Sequence, residues 1–374
     1  MFNILNSSTW SFIVYFSILT LIGLFFSWKE RHKKDFSLTQ SRSLNYWVTA
    51  ISAHASDMSS WLFMGFPAAV TFMGFGQMWV GLGLLICMWA NWQFISPKLR
   101  VATEKYDTFT LAGYFSQRFQ DKGILHIVCA ATSLLFFSFY IAAGFVAFGM
   151  MFEFLFALPY ETGILIGIAS VLIYTLFGGF AAVAWTDFFQ GLFLLAMIIL
   201  VPVYALYSIG GTQTLLQNIN FKEVISNSLF NNDSLLQNFG LFFGWGLGYF
   251  GQPHVLNKFM GISDVKDLKK AKRVGVSWHF LSLLASFSVG LISIAFFSEL
   301  PENRDLIFIQ MTKQLFSPFV SGFILCGILA ATISTIDSQL IVLTTVISDD
   351  LYKNARPNAS KKALLTVSRI SMVI

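Results

Sequence analysis

Asp57 lies in the stretch 52–67, among Ser56, Ser59, Ser60 and other small residues, and long apolar runs flank it on both sides. An ionised side chain at the bilayer centre costs at least about 2.5–3.5 kcal/mol, so a residue of this kind is a functional one by default. Backbone leaves the helix at membrane depth only where protein buries it or where it lines a wet cavity. The stretch therefore predicts a transmembrane helix broken near its middle, with carbonyls and hydroxyls gathered around a cation. A surface loop between two short helices would put the same residues in water, but flanks this apolar do not suit one.

Composition settles what the flanks are. Of 374 residues 56% are hydrophobic and 11% charged, against about 25% charged in soluble domains. Runs of about 20 apolar residues recur, the length needed to cross a bilayer. We read spans at 10–28, 46–66, 78–95, 125–152, 163–180, from Asp187 to near Tyr207, 239–256, 276–297 and 318–346. Gly178 and Gly179 predict a tight turn between the fifth and sixth, and 210–237 predicts one sizeable external loop. The first run has no basic residues before it and no cleavage site after it, so it reads as a retained span. From Ala363 the chain turns apolar and stops at Ile374, about 12 residues into a helix that needs roughly 20. It reads as truncated inside a tenth span.

The distribution of charge orients the spans. Of the 24 Lys and Arg residues, only Lys222, Arg304 and Lys313 fall in the loops on one side. The other side carries Lys29, Arg31, Lys33, Lys34 and Arg42, the basic loop after the third span, the run Lys258–Arg273 and the C-terminal group. Cytoplasmic loops carry such an excess, so the N-terminus is expected outside. The net charge of +5 then needs no nucleic-acid partner. Cys87, Cys129 and Cys326 all sit in apolar runs at no metal-ligand spacing, as small buried hydrophobes.

A second interruption appears in the seventh span, Gly-Trp-Gly-Leu-Gly-Tyr-Phe-Gly-Gln-Pro at 244–253. Each glycine costs a helix about 1 kcal/mol and an interior proline about 3. Alone, this stretch reads equally well as small residues that let helices pack closely. Interruptions at corresponding places in two halves, however, point to an inverted-repeat transporter and its site, and spans two and seven are five apart. Trp245 and Tyr249 share a helix face if the turn between them is wound. In the ninth span Ala331, Ser334 and Thr335 sit at i, i+3 and i+4. Their carbonyl and hydroxyls either offer oxygen to a hard cation or bond back to the preceding turn. Asp337 adds a second intramembrane acid.

Ala-Ser-Asp-Met-Ser-Ser-Trp at 55–61, Trp-Thr-Asp at 185–187, the stretch 244–254 and Ala-Thr-Ile-Ser-Thr at 331–335 resemble the sodium:solute symporter family, in particular its bacterial proline-transporting members. The resemblance runs from the first span to Ile374. It implies an all-α polytopic membrane protein of LeuT type, with two inverted five-helix repeats (46–208 and 236–374, the second incomplete) after one extra helix and basic loop (1–45). It implies sodium-coupled uptake of L-proline across the bacterial cytoplasmic membrane, with Na+ as the coupling ion and no organic cofactor. By motif, the carbonyls of Ala55, Met58 and Ala331 and the hydroxyls of Ser334 and Thr335 would hold sodium, with Asp57 the acid essential to coupling. Ser59, Ser60, Trp61, Tyr140, Trp245, Tyr249 and Pro253 would surround the solute, and Arg42 and Asp187 would modulate transport. Ser60 stands where glycine is expected and Asp337 where a small polar residue is expected.

Two other readings stay open: a symporter for another small amino acid or carboxylate, and a non-transporting fragment or sensor remnant. No catalytic constellation or phosphate-cradling loop points to an enzyme.

Overall fold

The computed structural model of the chain describes residues 7–32, 41–121, 123–218 and 232–373. Lys33, Lys34, Lys122 and Lys222 lie outside them. Helix dominates, as backbone in lipid requires, and the described residues contain no strand beyond an isolated bridge between Leu44 and Ile262. The helices run in chain order. They are α1 (Ser7–Arg31), α2 (Tyr46–Met58), α3 (Gly65–Met73), α4 (Met78–Ala90), α5 (Ser96–Lys105), α6 (Leu111–Phe119), α7 (Ile124–Phe156) and α8 (Tyr160–Ser208). Then follow α9 (Thr212–Asn218), α10 (Asn232–Gly246), α11 (Pro253–Met260), α12 (Leu268–Phe296), α13 (Ile307–Leu315), α14 (Pro318–Thr345) and α15 (Lys361–Ser371).

Among the described residues six stretches are long and apolar enough to cross a membrane, fewer than the spans read from sequence. The difference is the breaks themselves. The second span is divided into α2 and α3, and the seventh into α10 and α11, so no piece reaches the length of a crossing. The fifth and sixth spans form one element, α8, bent at Gly179 (φ 63°, ψ −176°), a conformation open to glycine and closed to most other residues. The predicted loop 210–237 is partly helical, holding α9 and the start of α10.

α14 is the axis of the bundle. Residues such as Ile328, Leu329, Ala330 and Ile333 are buried around its whole circumference, and α8, α1, α2 and α7 pack on it. α1 shows the opposite pattern, with Phe12, Tyr15 and Leu19 buried while Ile18, Leu21 and Phe25 are exposed, as suits a helix between protein and lipid. α4 and α10 cross at a pair of glycines. A Cβ on Gly246 would stand 2.6 Å from the Gly83 carbonyl oxygen, and one on Gly83 would run into the Phe242 carbonyl. Small residues let transmembrane helices approach in this way. Gly83→Val is expected to destabilise the fold by about 1–3 kcal/mol, the usual cost of overpacking. Thermal unfolding in detergent checks this, and an unchanged midpoint would contradict the crossing.

At the basic end, the starts and ends of the broken helices are tied together. Leu44 N donates to Gly261 O (3.1 Å) and Ser263 N to Leu44 O (2.9 Å), joining the entry to α2 with the exit from α11. Arg100 is buried rather than in a free loop, because its Nε donates to Ile262 O (2.8 Å) and its Nη1 to Glu104 (2.7 Å).

Candidate functional site

α2 ends at Met58, so the carbonyls of its last turn, Ala55 to Met58, have no partner further along the helix. Two of them, Ala55 and Met58, are carbonyls that the family resemblance implies, and a helix C-terminus carries roughly half a negative charge. Ser59 leaves the helix with φ 49° and ψ −171°, a costly geometry for a non-glycine residue, of order 1–3 kcal/mol. Two contacts hold it there: Ser59 N donates to Thr335 Oγ1 (3.1 Å), and Ser59 Oγ accepts from Trp61 N (3.2 Å). One 3-10 turn, Ser60–Leu62, then leads to α3.

α14 meets this break side-on. Ser334 Oγ donates to Ala55 O (2.9 Å) and lies 3.1 Å from Ala331 O, while Thr335 Oγ1 donates to Ala331 O (2.9 Å). The hydroxyls bond back along α14 and also face α2. Ala55, Ala331, Ser334 and Thr335 converge, and Met58 is buried beside them in the sequence. Asp57 is 8% exposed, and its Oδ2 accepts a 2.5 Å hydrogen bond from Tyr249 Oη. Tyr140 Oη lies 3.5 Å from the Asp57 carbonyl.

A cavity of about 310 Å³ opens on the other side of the break, at the small end of the roughly 300–1,000 Å³ of ligand sites. Ser59, Ser60, Trp61, Tyr140 and Thr335 line it. Trp61 is held flat between Phe66 (ring centroids 4.8 Å) and Trp245 (5.0 Å). Met64 and Gly65 line it too, presenting the start of α3, where first-turn N–H groups lack helical partners. Trp245, Tyr249 and Pro253 are not among the lining residues. Trp245 stands behind Trp61 and is 45% exposed, Tyr249 is spent on Asp57, and Pro253 begins α11. The π-helical Asn91 fixes the Tyr249 backbone, its Nδ2 donating to Tyr249 O (2.8 Å).

Of the α7 wall of the cavity, sequence reading named Tyr140 and missed the rest. Ala143, Gly144 and Ala147 line it too, at i+3, i+4 and i+7 from Tyr140, a small-residue face that periodicity could have found. It also missed Asp305, which lines the cavity from the loop between α12 and α13 and so opens the cavity toward the end opposite the basic loops. Nothing local to Asp305 signals that role.

Arg42 and Asp187 lie away from the cavity. Arg42 Nη2 donates to Thr103 O (2.9 Å), and its guanidinium covers the Phe109 ring at 4.0 Å. Partial burial, with Arg100 nearby, lowers its pKa from the usual guanidinium range. Asp187 is fully buried and pairs with Lys258 Nζ at 2.8 Å, while Ser338 Oγ donates to the same oxygen (2.8 Å). Lys258, assigned from sequence to a basic loop, is thus corrected to a core position, 2% exposed: α11 continues past it and Asp187 supplies its counter-charge.

The sodium:solute symporter family model matches residues 38–374. The sodium/proline symporter of Escherichia coli (strain K12) is 39% identical over 97% of this chain and 74% of its own length. The high-affinity proline transporter PutP of Bacillus subtilis (strain 168) is 39% identical over 95% of this chain and 76% of its own. In fold, the chain is similar to a solved Na+-coupled sialic acid symporter in a substrate-bound outward-open state. There the TM-score is 0.85 at 18% identity, over 99% of this chain and 80% of that one. With broken helices meeting at a buried acid, and matches of this length, the chain is a multi-pass membrane protein and belongs to the sodium:solute symporter family.

Proposed function

We propose that the chain couples sodium entry to uptake of L-proline across the bacterial cytoplasmic membrane, with its basic end in the cytoplasm and its N-terminus outside. One observation supports this reading: Thr335 accepts from the Ser59 N–H at the helix break while also lining the cavity. Sodium held by Ala55, Met58, Ala331, Ser334 and Thr335, with Asp57 balancing its charge, fixes the strained Ser59 turn and so shapes the wall against which the solute binds. Such differential stabilisation makes one solute's affinity depend on another's, typically by 5- to 150-fold. The solute carboxylate meets the free N–H groups at the start of α3, and its secondary ammonium and ring lie against Trp61 and Tyr140. Two inverted five-helix repeats, beginning with α2 and with α10, account for the matching breaks.

Ser60 in the cavity wall favours a second reading, in which the same machinery takes another small amino acid or carboxylate. Uptake into proteoliposomes decides between them. An inward sodium gradient should drive accumulation of labelled proline, a potassium gradient should not, and excess of other amino acids should compete poorly. Strong competition by a different solute would transfer the assignment to it. Trp61→Ala should raise the proline KM by roughly 2- to 30-fold, the equivalent of about 0.5–2 kcal/mol, because it removes part of the cavity wall, with little change in the sodium requirement. Equal damage to both would mean that the substitution disturbs the break itself.

A further inference from the structure

Asp305 lines the cavity at the end away from the basic loops, and Thr332 and Thr335 of α14 line its wall. Further along α14, toward the basic end, come two buried layers. The upper layer is the buried ion pair: Lys258 Nζ, Asp187 Oδ2 and Ser338 Oγ, all 3% exposed or less. It joins α11, the inner half of a broken helix, to α8 and α14, which run through. The lower layer is an apolar cluster separate from the main core, built on Leu44, Val48, Phe180, Ala184 and Ile341. Lys258 links the two layers, since its ammonium also lies over the Phe180 ring at 5.3 Å.

The seam above Phe180 is polar. Both ring nitrogens of His254 and the Oδ1 of Asn257 are buried without a partner in the protein. They lie four and one residues before Lys258 on α11, and the His254 ring packs edge-on against Phe137 of α7 (5.4 Å). Buried polar groups without partners are unfavourable and regain hydrogen bonds once water reaches them. The closed seam is therefore a state that something must hold. A buried ion pair suits the task because removing one partner leaves an uncompensated buried charge.

We infer that the Lys258–Asp187 pair is the latch of the cytoplasmic seal, and that His254 and Asn257 line the solute's exit once the latch parts. Resting on the symport reading, this gives Asp187 a mechanical role in place of a merely modulatory one. It also makes α11, rather than α2, the element that swings from α8 and α14.

The latch can be tested by accessibility. His254→Cys and, independently, Asn257→Cys are placed in a chain whose Cys87, Cys129 and Cys326 are serine, and a membrane-impermeant maleimide is applied to inside-out vesicles. With sodium alone labelling should be slow, and proline should speed it. Adding Lys258→Met should raise the rate in sodium alone by at least about tenfold, because Asp187 is left buried and unpaired. The exchanged pair Lys258→Asp with Asp187→Lys should bring the rate back toward its starting value. A Lys258→Met rate equal to the parent's would overturn the latch. So would both reporters staying unlabelled in every condition while proline still binds. An effect of Lys258→Met without any response to proline would support the latch and count against proline as the solute.

Discussion

Asp57→Asn is expected to abolish sodium-stimulated proline uptake while leaving the protein folded in the membrane. The side chains have the same shape, and the asparagine oxygen can still accept the Tyr249 hydroxyl that now bonds Asp57 Oδ2 at 2.5 Å. Only the charge is lost. At an effective dielectric of about 20, a carboxylate about 4 Å from a monovalent cation is worth about 4 kcal/mol, roughly a thousandfold in affinity. Asp57→Glu keeps the charge on a longer stem and should retain partial uptake at raised sodium. If Asp57 only caps or packs, asparagine is nearly harmless, since its oxygen caps as well. Normal sodium dependence in the asparagine variant, read from uptake in proteoliposomes, would remove Asp57 from the coupling.

The second large effect falls on α14. Thr335→Val removes the oxygen that accepts from Ser59 N, and Ser334→Ala removes the donor to Ala55 O. Either should raise the sodium concentration for half-maximal uptake by tenfold or more, the equivalent of about 1.4 kcal/mol, while the maximum rate falls far less. Thr335→Ser, which restores the hydroxyl, should return the sodium requirement close to its original value. A valine variant with unchanged sodium dependence would mean that these hydroxyls serve only the helix-to-helix bonds seen here.

The breaks were legible because they violate the pattern around them. An acid with serines in α2, and four glycines with a proline between α10 and α11, stand out in an otherwise apolar sequence. The α14 face was legible for a similar reason: Ala331, Ser334 and Thr335 keep helical spacing, and helical spacing is local information. What could not be read depends on pairing across the chain. Tyr249 reaches Asp57 from 192 residues away. Nothing in its surroundings says that its hydroxyl serves the acid rather than the cavity to which the resemblance assigned it. Lys258 looked like the first of a basic run because its partner, Asp187, lies 71 residues earlier. Trp245 was expected in contact with solute but stacks behind Trp61, a difference of one layer that spacing cannot resolve. The α7 wall lay between these cases, visible as a small-residue face but unremarkable among so many small residues in transmembrane helices.

Coupling itself is a reciprocal quantity: if sodium raises proline affinity by some factor, proline must raise sodium affinity by the same factor. Proline binding to the purified protein, titrated across sodium concentrations, together with sodium binding titrated across proline, measures both. The Thr335-shared site predicts that the two factors agree and fall between about 5 and 150, and that Thr335→Val shrinks both together. Proline binding with the same affinity in sodium and in potassium would contradict it.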